Sequence, residues 1–282
     1  MESHALSLIR TKYNTFSDSQ KTVADYVLAH AGEVMMSSLS DLSKECGVSE
    51  PTIMRFLRKI DYDSYQVFRV NIAQELAHGK GENIYEEVSE DDDAERVRDK
   101  VIQQTVRSIE DSAQILEPKV IDKFADMILG AKKVLLIGIG ASAAVAYDFY
   151  HKLIRLGIPA SYSHDAHMIN ILSSNLGKDD LLITITHSGE SREVLDAINL
   201  ARKQGCNIAA VTSFPHSSAA KLAGCVLLSS SIETRYRSDA LTSRIIQMVI
   251  IDIVYINLAL RLGDRAQMQL DMSRVAVAKN KT

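Results

Sequence analysis

The sequence predicts an all-α domain followed by an α/β domain whose parallel sheet is covered by helices on both faces. Before residue 79, apolar residues recur at helical spacing. From residue 134 onward, short runs that are apolar almost throughout alternate with helical stretches. Such runs are typical of parallel strands that are buried on both faces. Two stretches with different periodicities therefore predict two domains of different fold class.

The chain has 282 residues, which exceeds the usual size of a single domain. A polar, acidic run at residues 79–97 separates the two patterns and has little to bury. The expected organisation is a helical domain at residues 1–78, an acidic linker at 79–97 and an α/β domain at 98–282. The second half of that linker fits the acid-rich start of a solvated helix equally well.

Composition excludes several classes of protein. The hydrophobic fraction of 46% and the charged fraction of 24% are those of a soluble globular protein. Cys46, Cys206 and Cys225 lie far apart without CxxC spacing, so no disulfide framework and no metal site are expected, and the cytoplasm is the expected compartment. No signal peptide is recognisable, and the longest apolar tract, residues 248–262, is too short to span a membrane. The net charge of −4 restricts any nucleic-acid binding to a local surface.

The N-terminal elements begin with a capping-box pattern between Ser17 and Gln20. A second helix is predicted over residues 39–46, and Gly47 supplies a turn after it. Ser49 can cap a third helix that has Pro51 in its first turn. The buried stripe of this third helix is predicted from helical spacing at Ile53, Phe56, Leu57 and Ile60.

The α/β region starts with amphipathic helices at residues 97–116 and 120–129. Strands are predicted at residues 134–139, 160–163, 181–186, 208–212 and 226–229. Helices are predicted between them at residues 142–156, 166–176, 190–203 and 217–222. A final apolar helix over residues 239–262 suits packing against the domain or a second subunit.

The turn after the third strand carries hydroxyl groups and a glycine at the start of a helix. Ser188 and Ser191, with backbone N–H groups freed by Gly189 and the helix N-terminus, form a cradle for a phosphate monoester. No lysine or Mg²⁺-ligand pattern accompanies it, so a nucleotide P-loop is not expected, nor is a cofactor. A similar turn, Gly138-Ile-Gly-Ala-Ser142, follows the first strand and by itself fits a plain tight turn equally well. In flavodoxin-like order these strands lie beside the switch point, so both turns are expected to face one ligand.

These turns, together with residues 165–167, resemble the SIS (sugar isomerase) domain over about residues 97–262. The resemblance implies a five-stranded parallel sheet that binds a phosphosugar. The ligand-binding residues expected from the turns and the resemblance are Gly140, Ser142, His187, Ser188, Gly189, Ser191 and Glu193. Catalytic SIS domains add a base, for which the candidates by position are Glu193, His187, Glu233 and His167; orientation or helix capping is the plainer role for each.

Residues 39–56 fit a helix-turn-helix, in which Ser43 allows close approach of the helices and Gly47 makes the turn. The residues expected to face the major groove are Ser49, Glu50, Thr52 and Arg55, with Arg58 and Lys59 nearer the phosphates. A three-helix bundle without DNA binding is the alternative. Residues 1–77 carry eight basic and ten acidic side chains, an unusual balance for a DNA-binding domain, although a dimer would double the local basic patch.

A helix-turn-helix, an acidic linker and a SIS domain in this order resemble the RpiR family of bacterial transcription regulators. Residues 15–27, 48–53 and 236–244 are similar to characteristic stretches of that family. Arg237, Ser243 and Arg244 recur in its pattern, with a ligand-pocket and a subunit-interface role both open. The resemblance implies a DNA-binding regulator of sugar metabolism genes, not an enzyme. Its expected partners are a palindromic operator in double-stranded DNA, a sugar-phosphate effector and further copies in a homodimer or homotetramer, with no membrane.

Two other functions are compatible with the sequence. One is a sugar-phosphate isomerase whose N-terminal helices serve only assembly, which would need a positioned base. The other is a metabolite sensor that binds a protein partner instead of DNA.

Overall fold

A computed structural model describes residues 5–78, 88–229 and 241–278. These residues separate into two compact units, one containing the described residues up to Gln114 and the other those from Ile115 onward. Hydrophobic core clusters lie within each unit. The described residues therefore form two compact units, each of which has its own hydrophobic core.

The described residues of the N-terminal unit form helices. They are α1 (Ala5–Thr11), a 3-10 turn (Tyr13–Thr15), α2 (Asp18–Ala29), α3 (Ala31–Val34), α4 (Leu39–Glu45), α5 (Glu50–Lys59), α6 (Tyr65–His78) and α7 (Ala94–Ile115). The predicted capping box begins α2, where the Ser17 N–H donates to Gln20 Oε1 at 3.1 Å. Fully buried side chains from α2, α5 and α6 form one core, among them Val23, Ile53, Phe56, Phe68 and Ile72.

Helix α7 is tied to α1 by a carboxylate. Asp111 Oδ1 accepts a hydrogen bond from Ser7 Oγ at 2.8 Å, and Asp111 Oδ2 accepts one from Arg10 Nε at 2.7 Å. The structure accordingly groups residues 98–114 with the N-terminal helices, although the sequence predicts that they belong to the α/β domain. The last four residues of the predicted linker begin α7, and residues 79–87 lie outside the described part of the chain.

The second unit contains a five-stranded parallel sheet. Its strands are β1 (Val134–Gly138), β2 (Ala160–Ser163), β3 (Leu181–Ile185), β4 (Asn207–Thr212) and β5 (Cys225–Leu228). Their order is β2-β1-β3-β4-β5, and all four neighbouring pairs are parallel, which confirms the flavodoxin-like prediction. Every residue of β1 and β3 is buried, which explains why the sequence of these strands is apolar almost without alternation.

Helices cover both faces of this sheet. They are α8 (Pro118–Gly130), α9 (Ala141–Arg155), α10 (Ala166–Ser174), α11 (Arg192–Lys203), α12 (Ser218–Leu222), α13 (Leu241–Leu262) and α14 (Asp264–Ala278). Helices α10 and α11 bury Ile169 and Ile198 in one cluster with Leu135 and Leu182 of the sheet. Ile137 of β1 belongs to the same cluster, and the next residue, Gly138, faces the other side of the sheet because successive strand residues alternate. A Cβ on Gly138 would lie 2.5 Å from Ser142 O of α9, so α9 packs on that opposite face. Helix α13 contacts α8 and α9.

Among the described residues, one helical segment, Ser243–Leu262, is long and apolar enough to cross a membrane, with a mean hydropathy of 1.9. The prediction that its apolar tract is too short was wrong, because the helix begins well before residue 248. The helix packs against α8 and α9 of the α/β unit. Arg261 donates to Asp122 and Asp126 of α8, and Lys152 of α9 donates to Asp252 at 2.7 Å. The segment therefore packs against its own domain, one of the two contacts predicted for it, which makes it weak evidence for a membrane.

Candidate functional site

Two strand-to-helix turns lie side by side at the carboxyl edge of the sheet. Gly138, the last residue of β1, is paired with Ile185, the last residue of β3. The turns that follow these residues lead into the N-termini of α9 and α11. Ligands of open parallel sheets bind at this edge. The two motifs singled out in the sequence are thus neighbours in the fold.

The turn after β1 depends on its glycines. Gly140 has a φ of 58° and occupies the N-cap position of α9, a conformation that residues with a Cβ rarely adopt. Ser142 follows in the first turn of the helix and is only 6% exposed. The first N–H groups of a helix have no intrahelical acceptor and favour an anion. At this end of α9 the Ser142 and Ala143 N–H groups already donate to Ile139 O and Gly140 O at 3.2 and 3.1 Å, so the turn offers an anion the Ser142 hydroxyl and the positive end of the helix dipole.

The turn after β3 is held in shape by its own hydrogen bonds. Gly189 has a φ of 70°, and its N–H donates to Thr186 Oγ1 at 3.1 Å. The Glu190 N–H donates to Ser188 Oγ at 3.3 Å. Ser191 occupies the N-cap position of α11, and its side chain accepts no capping hydrogen bond. Ser188 is exposed and Ser191 half-buried, so both hydroxyls remain accessible at the helix N-terminus.

Glu190 is the acidic residue of this turn, and its carboxylate is directed to α12. Its Oε1 accepts a hydrogen bond from the Ser218 N–H at 2.7 Å. This backbone hydrogen bond favours the ionised form and lowers the pKa of Glu190. The contact fastens the β3 turn to the first residue of α12.

His187 links the ends of three strands. Its Nδ1 lies 2.9 Å from Ser213 Oγ, which lies 2.8 Å from Ser229 Oγ. These three residues follow β3, β4 and β5, respectively. The imidazole also packs edge-on against Phe214, with ring centroids 5.3 Å apart. The arrangement orients the ring and fits a positioning role for His187 better than a free base.

Two of the other candidate bases lie at helix starts. Glu193 lies in the first turn of α11 and His167 in the first turn of α10, and both are exposed. Glu233 and Arg237 lie outside the described residues. Of the remaining family-pattern residues, Ser243 is fully buried and Arg244 half-buried near the start of α13.

Several residues that shape this site were not predicted from the sequence. Thr186 accepts from the Gly189 N–H, and Gln247 of α13 donates from Nε2 to Thr186 O at 3.3 Å. Ser217 caps α12 and lies against Gly189. A signal for part of this set was present, because small hydroxyl residues end the apolar runs of β3, β4 and β5. Gln247 had no such signal, since its contact joins two residues that are 61 positions apart in the sequence.

The predicted helix-turn-helix is present in α4 and α5. Gly47 has a φ of 62° in the turn between them, as its predicted role requires. Ser43 Oγ donates to Val48 O at 2.5 Å across the same turn. Leu42 and Ile53 are fully buried and fix the packing of the two helices.

The outer face of α5 carries most of the predicted DNA-binding residues. Ser49, Glu50, Arg55 and Arg58 are exposed, and Thr52 is half-buried. Ser49 has the N-cap backbone conformation, but its hydroxyl lies 2.9 Å from Thr52 Oγ1 and makes no capping bond to the backbone, contrary to expectation. Arg55 Nη2 donates to the same Thr52 hydroxyl at 3.1 Å. A connected polar surface therefore covers the first two turns of α5.

Lys59 lies apart from this surface. Its ammonium donates to Thr15 O and to Gln20 Oε1, and it lies 5.6 Å from the centroid of the Phe16 ring. These contacts attach the end of α5 to the start of α2. The structure thus gives Lys59 an internal role besides the phosphate contact expected of it.

Comparison with known proteins agrees with both halves of this architecture. Residues 3–79 match the model of the helix-turn-helix domain of the rpiR family, and residues 127–256 match that of the SIS domain. An uncharacterized HTH-type transcriptional regulator of Thermotoga maritima is 36% identical over 97% of this chain and 98% of its own length. The HTH-type transcriptional regulator HexR of Pseudomonas aeruginosa is 29% identical over 92% of this chain and 90% of its own length. Among solved structures, Vibrio vulnificus NanR complexed with ManNAc-6P covers 98% of both chains with 25% identity and a TM-score of 0.62.

A helix-turn-helix joined in one chain to a SIS fold defines a class of transcriptional regulator. The extent and identity of these matches place the molecule within that class: the chain belongs to the RpiR family of helix-turn-helix transcriptional regulators.

Proposed function

We propose that a phosphorylated sugar bound at the carboxyl edge of the sheet changes the affinity of the helix-turn-helix for operator DNA near sugar metabolism genes. The observation that carries this proposal is the pairing of Gly138 with Ile185, which sets two hydroxyl-bearing turns and two helix N-termini beside each other. Such an arrangement suits a dianionic phosphate. The NanR relative, whose solved complex contains ManNAc-6P, supports the same class of effector.

Each turn contributes distinct groups to the proposed ligand site. The hydroxyls of Ser142, Ser188 and Ser191 donate to phosphate oxygens, and the positive N-terminal ends of α9 and α11 add to the attraction. His187 lies in the turn after β3 and Glu193 in the first turn of α11, and both contact the sugar. The fixed conformation of the β3 turn reduces the ordering that binding requires.

The proposed DNA surface is the exposed face of α5. Ser49, Glu50, Thr52 and Arg55 face base edges in the major groove, and Arg58 and Lys59 approach the phosphates. The protein acts as a homodimer or homotetramer in the cytoplasm, and its operator is palindromic because half-sites mirror a two-fold axis. Two copies also double the local patch of basic side chains near the DNA.

Effector and DNA are coupled by a shift in population. A ligand changes DNA affinity only by preferring one conformation of the protein, and coupling energies of this kind are typically about 1–3 kcal/mol. We therefore expect an effector to change operator affinity by about 5- to 150-fold.

The test is a fluorescence-anisotropy titration of DNA fragments from upstream of sugar-catabolism genes, with and without a panel of sugar phosphates. Arg55→Ala should weaken specific binding, whereas Ser188→Ala should leave binding intact and remove the effector response. The proposal would be wrong if the protein bound none of the fragments specifically at any effector concentration.

We propose further that the SIS domain senses its ligand without transforming it. Of the candidate bases among the described residues, Glu193 and His167 are exposed at helix starts and His187 is hydrogen-bonded to Ser213. Incubation with aldose and ketose phosphates should give no interconversion by NMR. Turnover that disappears in Glu193→Gln would instead favour a sugar-phosphate isomerase.

A further inference from the structure

Ser243 carries a buried hydroxyl near the start of α13. Its side chain is 0% exposed. Within the part of the chain that the structure describes, Ser243 Oγ has no hydrogen-bond partner. A buried hydroxyl without a partner destabilises the folded protein, because the hydrogen bonds to water that it gives up are not replaced. Such a group calls for a specific partner.

The contacts of α13 place Ser243 at the ligand-binding edge of the sheet. Gln247, four residues later, donates to Thr186 O, directly after β3. Farther along, Asp252 contacts Lys152 in the last turn of α9. Because α9 starts at the carboxyl edge of the sheet and runs toward the amino edge, α13 runs in the same direction. Its first turns therefore lie at the carboxyl edge.

Helix geometry then fixes the position of the Ser243 side chain. Residues four apart lie on the same helix face, about 6 Å apart along the axis. Ser243 thus shares the face of Gln247 that meets the end of β3, and it lies one turn farther beyond the strand ends. That is the level of the β1 and β3 turns.

We propose that Ser243 is a further ligand-binding residue, whose hydroxyl hydrogen-bonds an oxygen of the sugar phosphate that is bound by the Ser142 and Ser188 turns. This inference rests on the proposed function, because it deepens the same site. It makes the ligand a bridge between the first turn of α13 and the two strand-to-helix turns.

The chain offers a matched control in Ser173 of α10. This serine is also 0% exposed, and its hydroxyl also lacks a partner among the described residues. It lies near the opposite edge of the sheet, because Asn175 O, two residues later, accepts from Lys133 just before β1 at 3.1 Å. Ser173→Ala thus removes the same group in the same kind of environment, away from the carboxyl edge of the sheet.

The experiment compares full-length wild type, Ser243→Ala and Ser173→Ala by thermal unfolding and isothermal titration calorimetry. The probes are glucose 6-phosphate, fructose 6-phosphate, glucosamine 6-phosphate, N-acetylmannosamine 6-phosphate and inorganic phosphate. Without a probe, both variants should unfold at or above the wild-type temperature, since each loses an unpartnered hydroxyl. With the tightest sugar phosphate, Ser243→Ala should raise Kd about three- to tenfold and Ser173→Ala less than about twofold. Ser243→Cys, nearly isosteric with a weak donor, should fall between wild type and alanine and serves if the alanine variant does not fold.

The possible results distinguish a failure of the role proposed for Ser243 from a failure of the proposed function. An unchanged Kd in the Ser243 variants, with sugar-phosphate binding intact in wild type, would overturn the inference alone. Equal losses in the Ser243 and Ser173 variants would also overturn it, because they would reflect a structural effect. If no sugar phosphate bound wild type, the proposed function and the inference would fall together.

Discussion

A β-carbon placed on Gly189 would lie 2.5 Å from Cβ of Ser217. Ser217 is 4% exposed and caps α12, where its hydroxyl accepts from the Ala220 N–H, so it has little room to move. Gly189 O in turn accepts from the Ala219 N–H at 3.0 Å. The β3 turn is therefore closed against the start of α12, and only glycine fits at its centre.

Gly189→Ala combines this clash with a positive φ, and we expect it to lower the free energy of unfolding by about 3 kcal/mol. The effector response of DNA binding should be lost as well. Gly205→Ala is the control, because Gly205 has a φ of 75° and its added Cβ would meet only Lys178 Cβ at 3.8 Å. It should lose about 1 kcal/mol from backbone strain alone. Urea unfolding measures both changes, and equal losses would contradict the role assigned to Ser217.

Asp111→Ala should destabilise the N-terminal unit by about 3 kcal/mol, because it removes the carboxylate that Arg10 and Ser7 share in a buried setting. The Arg10 and Asp111 side chains are 9% and 7% exposed. Asp99→Ala in the same helix is the control, since Asp99 and its partner Arg98 are 50% and 58% exposed. It should leave stability close to that of wild type. Similar values for the two variants would show that α7 does not depend on this contact.

The two sheet turns illustrate what a sequence can predict. Strand ends at Gly138 and Ile185 were predicted within one residue, because a continuous apolar run that breaks into glycine and serine marks a buried parallel strand and its exit. Flavodoxin-like order then made the two turns neighbours. Local chemistry and topology were therefore enough to assemble the outline of the site.

Contacts across long sequence separations were beyond such reasoning. The pairing of Gln247 with Thr186 and that of Asp111 with Arg10 depend on which helix faces meet, which no local pattern encodes. Helix α6 was not predicted either, and its weak amphipathicity left no clear stripe over residues 65–78. Lys59 was assigned to DNA because basic residues cluster in sequence, whereas packing gave it an acceptor at Thr15 O.

Substitution of Arg55 and substitution of Lys59 should have different effects on DNA binding and on stability. Arg55→Ala should weaken operator binding and leave the free energy of unfolding within about 0.5 kcal/mol of wild type, because the residue is exposed. Lys59→Ala should lower stability by about 1–2 kcal/mol through loss of its contacts to Thr15 and Gln20. Anisotropy titrations and urea unfolding, run on the same preparations, separate the two effects. An unchanged stability of Lys59→Ala together with a loss of DNA affinity equal to that of Arg55→Ala would assign Lys59 to the DNA surface alone.

Burial of Cys206 makes the stability of the α/β unit fall at alkaline pH. Desolvation raises the pKa of this thiol to about 11 from its ordinary value of 9.0, and its Sγ donates to Asp180 O at 3.3 Å. Between these two pKa values the unfolded chain loses the proton while the folded chain keeps it, so the folded state binds more protons and stability falls as pH rises from about 9 to about 11. Cys206→Ser keeps a donor to the same carbonyl and does not ionise in this range, so its unfolding free energy should fall less steeply than that of wild type. Urea unfolding at pH 8, 9 and 10 gives the comparison, in which other titrating groups cancel. If the unfolding free energies of the two proteins changed equally with pH, the prediction would be wrong, because the folded state would then not raise the pKa of this thiol.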